Sequence, residues 1–439
     1  MAVRCLRLTG LFPVHGGKGN CPLDPGSKPG EKKAGFRTGS RPRKPPCTRS
    51  DLSALQLLNV SKPQGGRNGE ALGVFERFIQ FENQIDGYKL AARCKRYRPE
   101  VLDYSYNLED FIIDGINSLI WKDFHIDRVH EFMEYYPKKR IITAWPFKYR
   151  VINCAAYNVL WPIYSKSFYE HSYGSIPGKG QVKACLQLQQ WIRKAAASET
   201  DRWYIGKADI AKFFFRIPHE IQLRELGRPL NDPDMMWFLQ QCIKGDGRPT
   251  GLPLDISDVT DAERIFGIGM PVGSLISQMT ANVVLTPLDH YMKRVVRVPR
   301  YIRYMDDMII LAPSKAQVWD SLRMMDDYLH NELGLQLNDK TQVLPCTNGV
   351  EFIGRVIYPD QLTVRKQTSL QIKRHLRYIA QKYSAGEIEL EYALNIIQSY
   401  LGLLKYTSCK ALTERICQTY VLVRHGPENV PDDPEGLWL

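Results

Sequence analysis

The chain is expected to fold as an α+β protein in which short antiparallel strands are interleaved with amphipathic helices. Three observations predict it. The run RYIRYMDDMIILAP places Asp306 and Asp307 between two apolar, β-prone segments, which reads as a hairpin with an acidic tip. The segment YIGKADIAKFFFRI ends a strand-like run on a further carboxylate, Asp209. Around these strands lie stretches with the 3.6-residue periodicity of helices.

The elements follow in order. Residues 1–50 hold 8 Gly and 7 Pro without sustained periodicity, and are expected to form a disordered basic tail. Helical spacing then runs from Ala71 to Phe132, carried by Phe75, Phe78 and Ile79 and later by Leu108, Phe111, Ile112 and Ile116. The basic stretch PKKRIITAWPFKYRVINCA reads as β-prone, and a helix through Trp161 to Phe168 follows it. The loop SYGSIPGKGQ leads into a helix from Val182 to Ala197. That loop is one residue short of the Walker spacing and has no Ser or Thr after Lys179, which excludes an ATPase of that kind.

Between the two acidic segments, GIGMPVGSLISQMTANVVL has glycines, a proline and small hydroxyl residues ahead of a long apolar helix. Backbone can approach a flat ligand closely there. Beyond the acidic hairpin, LGLQLNDKTQVLPCTNGVEFIGRVIYP reads as two or three short strands. Two helices are expected to close the chain. The first turns Ile372, Leu376, Ile379 and Tyr383 inward, carries Lys373, Arg374, Arg377 and Lys382 elsewhere, and ends at Gly386. The second runs from Glu387 to Lys405 with Leu390, Leu394, Ile397, Leu401 and Leu404 inward.

At 439 residues, 44% hydrophobic and 11% aromatic, the chain can bury two or three domains' worth of core. No apolar run reaches the roughly 20 residues of a membrane span, and the N-terminus lacks the apolar stretch of a signal peptide, so a cytoplasmic protein is expected. The 10 cysteines include no C-x-x-C pair, which argues against a zinc ribbon or a disulfide framework and for buried small hydrophobes. The net charge is +12, but residues 1–50 carry 11 Lys and Arg against 2 Asp and Glu, so nine of those charges lie in the tail. The body is nearly neutral, and any polyanion it meets must be held by local basic patches. Carboxylates on adjacent strands, with no His or Cys among them, suit a hard divalent cation such as Mg²⁺ engaged in phosphoryl transfer.

Taken in order, these segments resemble a reverse transcriptase of the bacterial group related to group II intron enzymes. The resemblance implies a right-hand polymerase with fingers, palm and helical thumb. Residues 51–200 would form N-terminal helices and fingers. Residues 201–360 would form a palm of antiparallel sheet with helices, including part of a fingers insertion at 225–268. The thumb would be 361–425, and 426–439 a C-terminal tail. It also implies that Asp209 and Asp306 are the principal ligands of two Mg²⁺ ions, for which Mn²⁺ can substitute, with Asp307 completing the acidic cluster. Phe214 would lie beneath the incoming sugar and exclude a 2′-hydroxyl. Lys138, Lys139 and Arg140 fall in the strand that grips the triphosphate, and Arg140 is the preferred ligand because a guanidinium binds phosphate bidentately. Lys340 would protonate the pyrophosphate. Phe352-Ile353-Gly354 would grip the primer end, and Lys373, Arg374 and Arg377 would follow the duplex through its phosphates.

The segment between the acidic motifs narrows the subfamily. Most reverse transcriptases have Gln-Gly and, three residues later, Ser-Pro, whereas this chain has Val272-Gly273 and Ser277-Gln278. The change resembles the enzymes of diversity-generating retroelements, where it accompanies error-prone copying, particularly opposite template adenine. The same motif occurs among phage-defence reverse transcriptases. Val272, Gly273 and Gln278 would line the nucleotide site, and an aliphatic side chain there lacks a hydrogen-bond donor to fix the nucleotide. The implied partners are structured template RNA, a cDNA or primer strand, deoxynucleoside triphosphates and a small basic accessory protein, in a bacterial or phage-encoded setting without a membrane. An RNA-templated RNA polymerase would share the palm, although Phe214 argues against it. An RNA-binding protein with a non-catalytic palm is the alternative from a different class, although a palm without catalysis would tolerate loss of the carboxylates present here.

Overall fold

The computed structural model describes residues 72–127, 129–134, 140–198, 202–253, 264–419 and 422–424. The expected tails at 1–50 and 426–439, and Lys138 and Lys139, lie outside the described residues. Two compact units part between Ile353 and Gly354.

The first unit begins with α1 (Val74–Phe78), α2 (Phe81–Ala92), α3 (Pro99–Tyr106) and α4 (Leu108–Ile120). Helical periodicity was expected to reach Phe132, but the helix ends at Ile120 and Lys122 turns into the left-handed region with φ 57°. Phe132 lies instead in β1 (His130–Glu134), paired with Ile142 of β2 (Arg140–Ala144) in an antiparallel hairpin. The second half of the stretch that reads as β-prone is α5 (Phe147–Tyr164), entered through Pro146. Its β-branched and aromatic residues mimic a strand pattern because the helix is buried nearly all round, from Val151 through Leu160. α5 anchors a core cluster that includes Phe78, Leu160, Phe238 and Ile276.

After α6 (Gln181–Ala196) come β3 (Tyr204–Asp209), α7 (Phe213–Arg216), α8 (His219–Gly227), α9 (Pro233–Lys244) and α10 (Leu275–Arg294). They lead to β4 (Arg300–Tyr304), β5 (Asp307–Ala312), α11 (Lys315–Leu333), β6 (Gln342–Pro345) and β7 (Val350–Phe352). The central sheet has the order β4-β5-β3-β6, every pairing antiparallel. α10 and α11 supply Val284, Leu288, Val318, Leu322 and Met325 to its core. α11 begins where Ser314 accepts a hydrogen bond from Gln317 N at 3.1 Å, satisfying one of the orphan amides of the first turn. It packs so closely on the sheet that a Cβ on Gly206 of β3 would lie 2.6 Å from Val318 Cγ1.

The second unit opens with the hairpin β8 (Arg355–Ile357) and β9 (Leu362–Val364), followed by α12 (Lys366–Ser384), α13 (Leu390–Leu404) and α14 (Lys410–Thr419). The third helix was not expected. Its apolar signal is thin, yet Ile416 is fully buried against Ile372, Leu376, Ile379 and Ile397.

The chain is thus an α+β protein. No helix among the described residues is long and apolar enough to cross a membrane. Cys154, Cys185, Cys242 and Cys346 are buried free thiols, and burial pushes the Cys154 thiol up to about 12, which keeps it unreactive. Cys94 departs from the expectation of free thiols and is disulfide-bonded.

Candidate active site on the central sheet

The site is built by strand register. β3 ends at Asp209, whose Cα partner across the ladder is Asp307, the first residue of β5. Asp307 in turn partners Tyr304, the last residue of β4. Directly opposed residues of an antiparallel pair have Cα atoms about 4.5–5.5 Å apart and side chains on one face of the sheet, so Asp209 and Asp307 form a cross-strand carboxylate pair. Met305 and Asp306 make the two-residue link of the hairpin. Met305 sits at φ 55°, a left-handed conformation that costs a non-glycine residue about 1–3 kcal/mol and persists only where its surroundings impose it.

The surroundings do impose it. Arg303, fully buried, donates from Nη1 to the Met305 carbonyl at 3.2 Å. Its other donors bind Asp289 of α10 bidentately, at 2.8 Å from Nε and 2.7 Å from Nη2, and Asp289 is equally buried. Tyr301 OH donates to Asp289 at 2.9 Å, and Arg303 Nη1 also reaches Asn282 Oδ1 at 3.2 Å. Burial works against the Arg303 charge, but Asp289 more than offsets it and holds the guanidinium protonated. Removing one partner of such a pair typically costs about 3–5 kcal/mol. On the other side of the turn, a Cβ on Gly174 would lie 2.5 Å from Met305 Cγ and 2.7 Å from Met305 N, so only glycine fits. Asn282 Nδ2 donates to the Gly174 carbonyl at 2.9 Å and ties both sides together.

Asp209 has a supporting residue of its own. Asn338 N donates to the Asp209 carbonyl at 2.7 Å, and Asn338 Nδ2 lies 3.4 Å from the carboxylate at Oδ2. Lys340 N donates to Asn338 Oδ1 at 3.1 Å, which brings the exposed Lys340 to the loop that holds Asp209. Phe214, on α7, is half-buried and edge-on to the buried Phe213 at 5.2 Å, so part of the ring stays open to solvent. Val272 and Gly273 meet the β1–β2 hairpin: Thr143 N donates to the Val272 carbonyl at 2.9 Å. Gly273 has φ 128°, and a Cβ there would lie 2.6 Å from the Thr143 carbonyl oxygen. Gln278 is half-buried in the first turn of α10, and Arg140 begins β2. Burial pushes the Tyr304 phenol up, although its bond with Gln181 at the start of α6 opposes the shift.

Two expectations need correction. Phe352 is fully buried, so its ring is not presented to a primer, and in the Ile353-Gly354 turn that follows both residues have positive φ, 48° and 77°. The three aspartates were expected to converge, yet among the described residues no group of three His, Cys, Asp or Glu side chains is arranged to hold a metal ion. Asp306 lies in the two-residue link and not in β5, so only Asp307 stands in register opposite Asp209. The oxygen-only donor set still fits a divalent ion, because Mg²⁺ is typically held by one or two carboxylates with water and substrate phosphate supplying the rest. Lys373, Arg374, Arg377 and Gly354 belong to the second unit. There α12 carries Arg374 and Arg377 exposed and Lys373 half-buried.

Asn338, Gly174, Asn282 and the Arg303–Asp289 pair went unnoticed in the sequence. A signal existed for one of them: an arginine amid the apolar residues of RYIRY requires a buried partner.

An acidic hairpin thus lies beside an acidic strand end, on an antiparallel sheet backed by two helices. Residues 135–357 match the family described as "Reverse transcriptase (RNA-dependent DNA polymerase)", and the chain belongs to that family. Protein YkfC of Escherichia coli (strain K12) is 24% identical over 238 residues, covering 47% of this chain and 59% of that protein. The putative COX1/OXI3 intron 2 protein of Saccharomyces cerevisiae (strain ATCC 204508 / S288c) is 21% identical over 291 residues, covering 50% of this chain and 32% of that protein. The match therefore spans less than two thirds of either relative. Among solved structures, telomerase from Candida albicans in complex with a TWJ fragment of telomeric RNA aligns at 12% identity and TM-score 0.37, covering 71% of this chain and 59% of that one. Apo telomerase from Candida tropicalis, truncated from the C-terminal domain, aligns at 11% and 0.38, covering 55% of each chain.

Proposed function

We propose that this chain is an RNA-directed DNA polymerase that joins deoxynucleotides to a primer 3′-hydroxyl on an RNA template. The observation that carries the reading is the register setting Asp209 opposite Asp307 beside a constrained acidic turn, in a chain of the reverse transcriptase family. Divalent ions, Mg²⁺ in this reading, would lower the pKa of the attacking hydroxyl and neutralise charge on the transferring phosphoryl group. Asp209, Asp307 and Asp306 would hold them. Lys340 would give a proton to the departing pyrophosphate, Phe214 would exclude a ribose 2′-hydroxyl, and Arg140 would bind the triphosphate. The basic face of α12 would follow the duplex.

The test is synthesis of complementary DNA by the purified protein on a structured RNA with Mg²⁺ and deoxynucleotides. Asp306→Ala and Asp209→Ala are expected to abolish it while circular dichroism stays that of wild type. Full activity in either folded variant rejects the assignment.

The finer reading is an error-prone enzyme of a diversity-generating retroelement, assisted by a small basic accessory protein. It is supported by the sequence at Val272-Gly273 and Ser277-Gln278, where an aliphatic side chain replaces a hydrogen-bond donor. Val272→Gln is expected to lower misincorporation opposite template adenine, measured by sequencing the products, and an unchanged error spectrum removes the reason for this subtype. An antiphage-defence enzyme with the same motif is the alternative within the family. An RNA-binding protein with a non-catalytic palm is the alternative from a different class. RNA binding without any synthesis by wild type would establish it.

A further inference from the structure

We infer that Arg303 and Gly174 are positioning residues that together cradle the Met305 peptide and thereby aim Asp306 at the divalent ion. The inference rests on the polymerase reading of the acidic turn. Asp306 follows directly on a residue held in a left-handed conformation, so its direction depends on what fixes Met305. Two contacts do so from opposite sides. The carbonyl of Met305 is held by a guanidinium whose remaining donors are locked by Asp289, and its amide nitrogen abuts a glycine with no room for a methyl group. Asn282 bridges the two sides, accepting from Arg303 and donating to Gly174.

The network is closed to solvent: Arg303, Asp289 and Asn282 are all fully buried. Segment 171–173 seals it by pairing along β4, with Arg303 N donating to the His171 carbonyl at 3.0 Å and Tyr173 N to the Arg303 carbonyl at 2.9 Å. A general anchor for the hairpin would need only the charge pair with Asp289. The bond to the Met305 carbonyl and the close packing of Gly174 are directed at the peptide that sets the acid's orientation.

The experiment measures Mn²⁺ binding to the full chain by electron paramagnetic resonance, without nucleic acid, using Asp306→Asn as the baseline. Arg303→Lys keeps the charge and loses the fork, whereas Gly174→Ala keeps every charge and displaces Met305. Each is expected to weaken Mn²⁺ binding about 10-fold, as loss of a group that orients a metal ligand does. Phe238→Leu, which opens a cavity in the other core cluster, is expected to lower thermal stability and leave Mn²⁺ binding unchanged. If Arg303→Lys does not fold, Gly174→Ala decides alone. Unchanged binding in a folded cradle variant overturns the inference. So does an equal loss in Phe238→Leu, or a wild type that binds no more Mn²⁺ than Asp306→Asn. Complementary-DNA synthesis on the same preparations separates the two claims. A wild type that binds Mn²⁺ through Asp306 and copies no RNA sinks the polymerase reading while the cradle stands, and active wild type with unaltered Mn²⁺ binding in both variants sinks the cradle alone.

Discussion

The carboxylate of Asp209 ends a strand, and Asn338 holds that residue through both main chain and side chain. Asn338→Ala removes the side-chain contact and leaves Lys340 N without its acceptor. Single-turnover primer extension should slow about 10-fold with the fold retained, the usual consequence of removing support from a metal ligand; a wild-type rate would mean that Asp209 is oriented by something else. The carboxylates could be read in the sequence because each is announced by its neighbours, an apolar strand on one or both sides. Asn338 could not, because Asn in LNDKT is equally at home in any turn. Nor could the match of Arg303 to Asp289, since nothing in either segment names a partner on another element. Phe352 was over-read for the converse reason: an aromatic beside a turn is more often core than contact, and here it is wholly buried.

Among elements, the central sheet was the most legible, since alternating or continuous apolar runs with turn residues between them admit few readings. The misreadings lie at boundaries. α5 looked like a strand because its residues are β-branched and aromatic, and β1 looked like a continuation of α4 because Phe132 fell near helical spacing. For α5 tertiary burial overrode local preference, whereas β1 is set by its pairing with β2 and Phe132 stays exposed. The packing of α11 on β3 was hidden in a single glycine. Gly206→Ala forces a methyl group to within 2.6 Å of Val318 Cγ1, an overpacking expected to cost about 1–3 kcal/mol, seen as a lower midpoint in urea at unchanged slope. Val318→Ala should relieve most of that cost in the double variant, and strictly additive losses would show that the helix stands off the sheet.

At the scale of the molecule, charge and structure are divided differently. Most of the net charge lies in residues 1–50, while the acidic turn and its buried supports occupy a nearly neutral body. Each unit has a core of its own, one built on helices and the four-stranded sheet and one on three helices behind a hairpin. Within the first unit, distant stretches of chain are joined by single side chains. Asp232 accepts from Met235 N at 3.0 Å, capping α9, and from Phe75 N at 2.7 Å at the start of α1. One oxygen serves each amide, so two segments 157 residues apart depend on one carboxyl group. Asp232→Ala should therefore speed deuterium uptake at Phe75 and Met235 in step. The two segments would then fray as a single event, exposing the earliest described turn to proteases whenever the ninth helix unwinds.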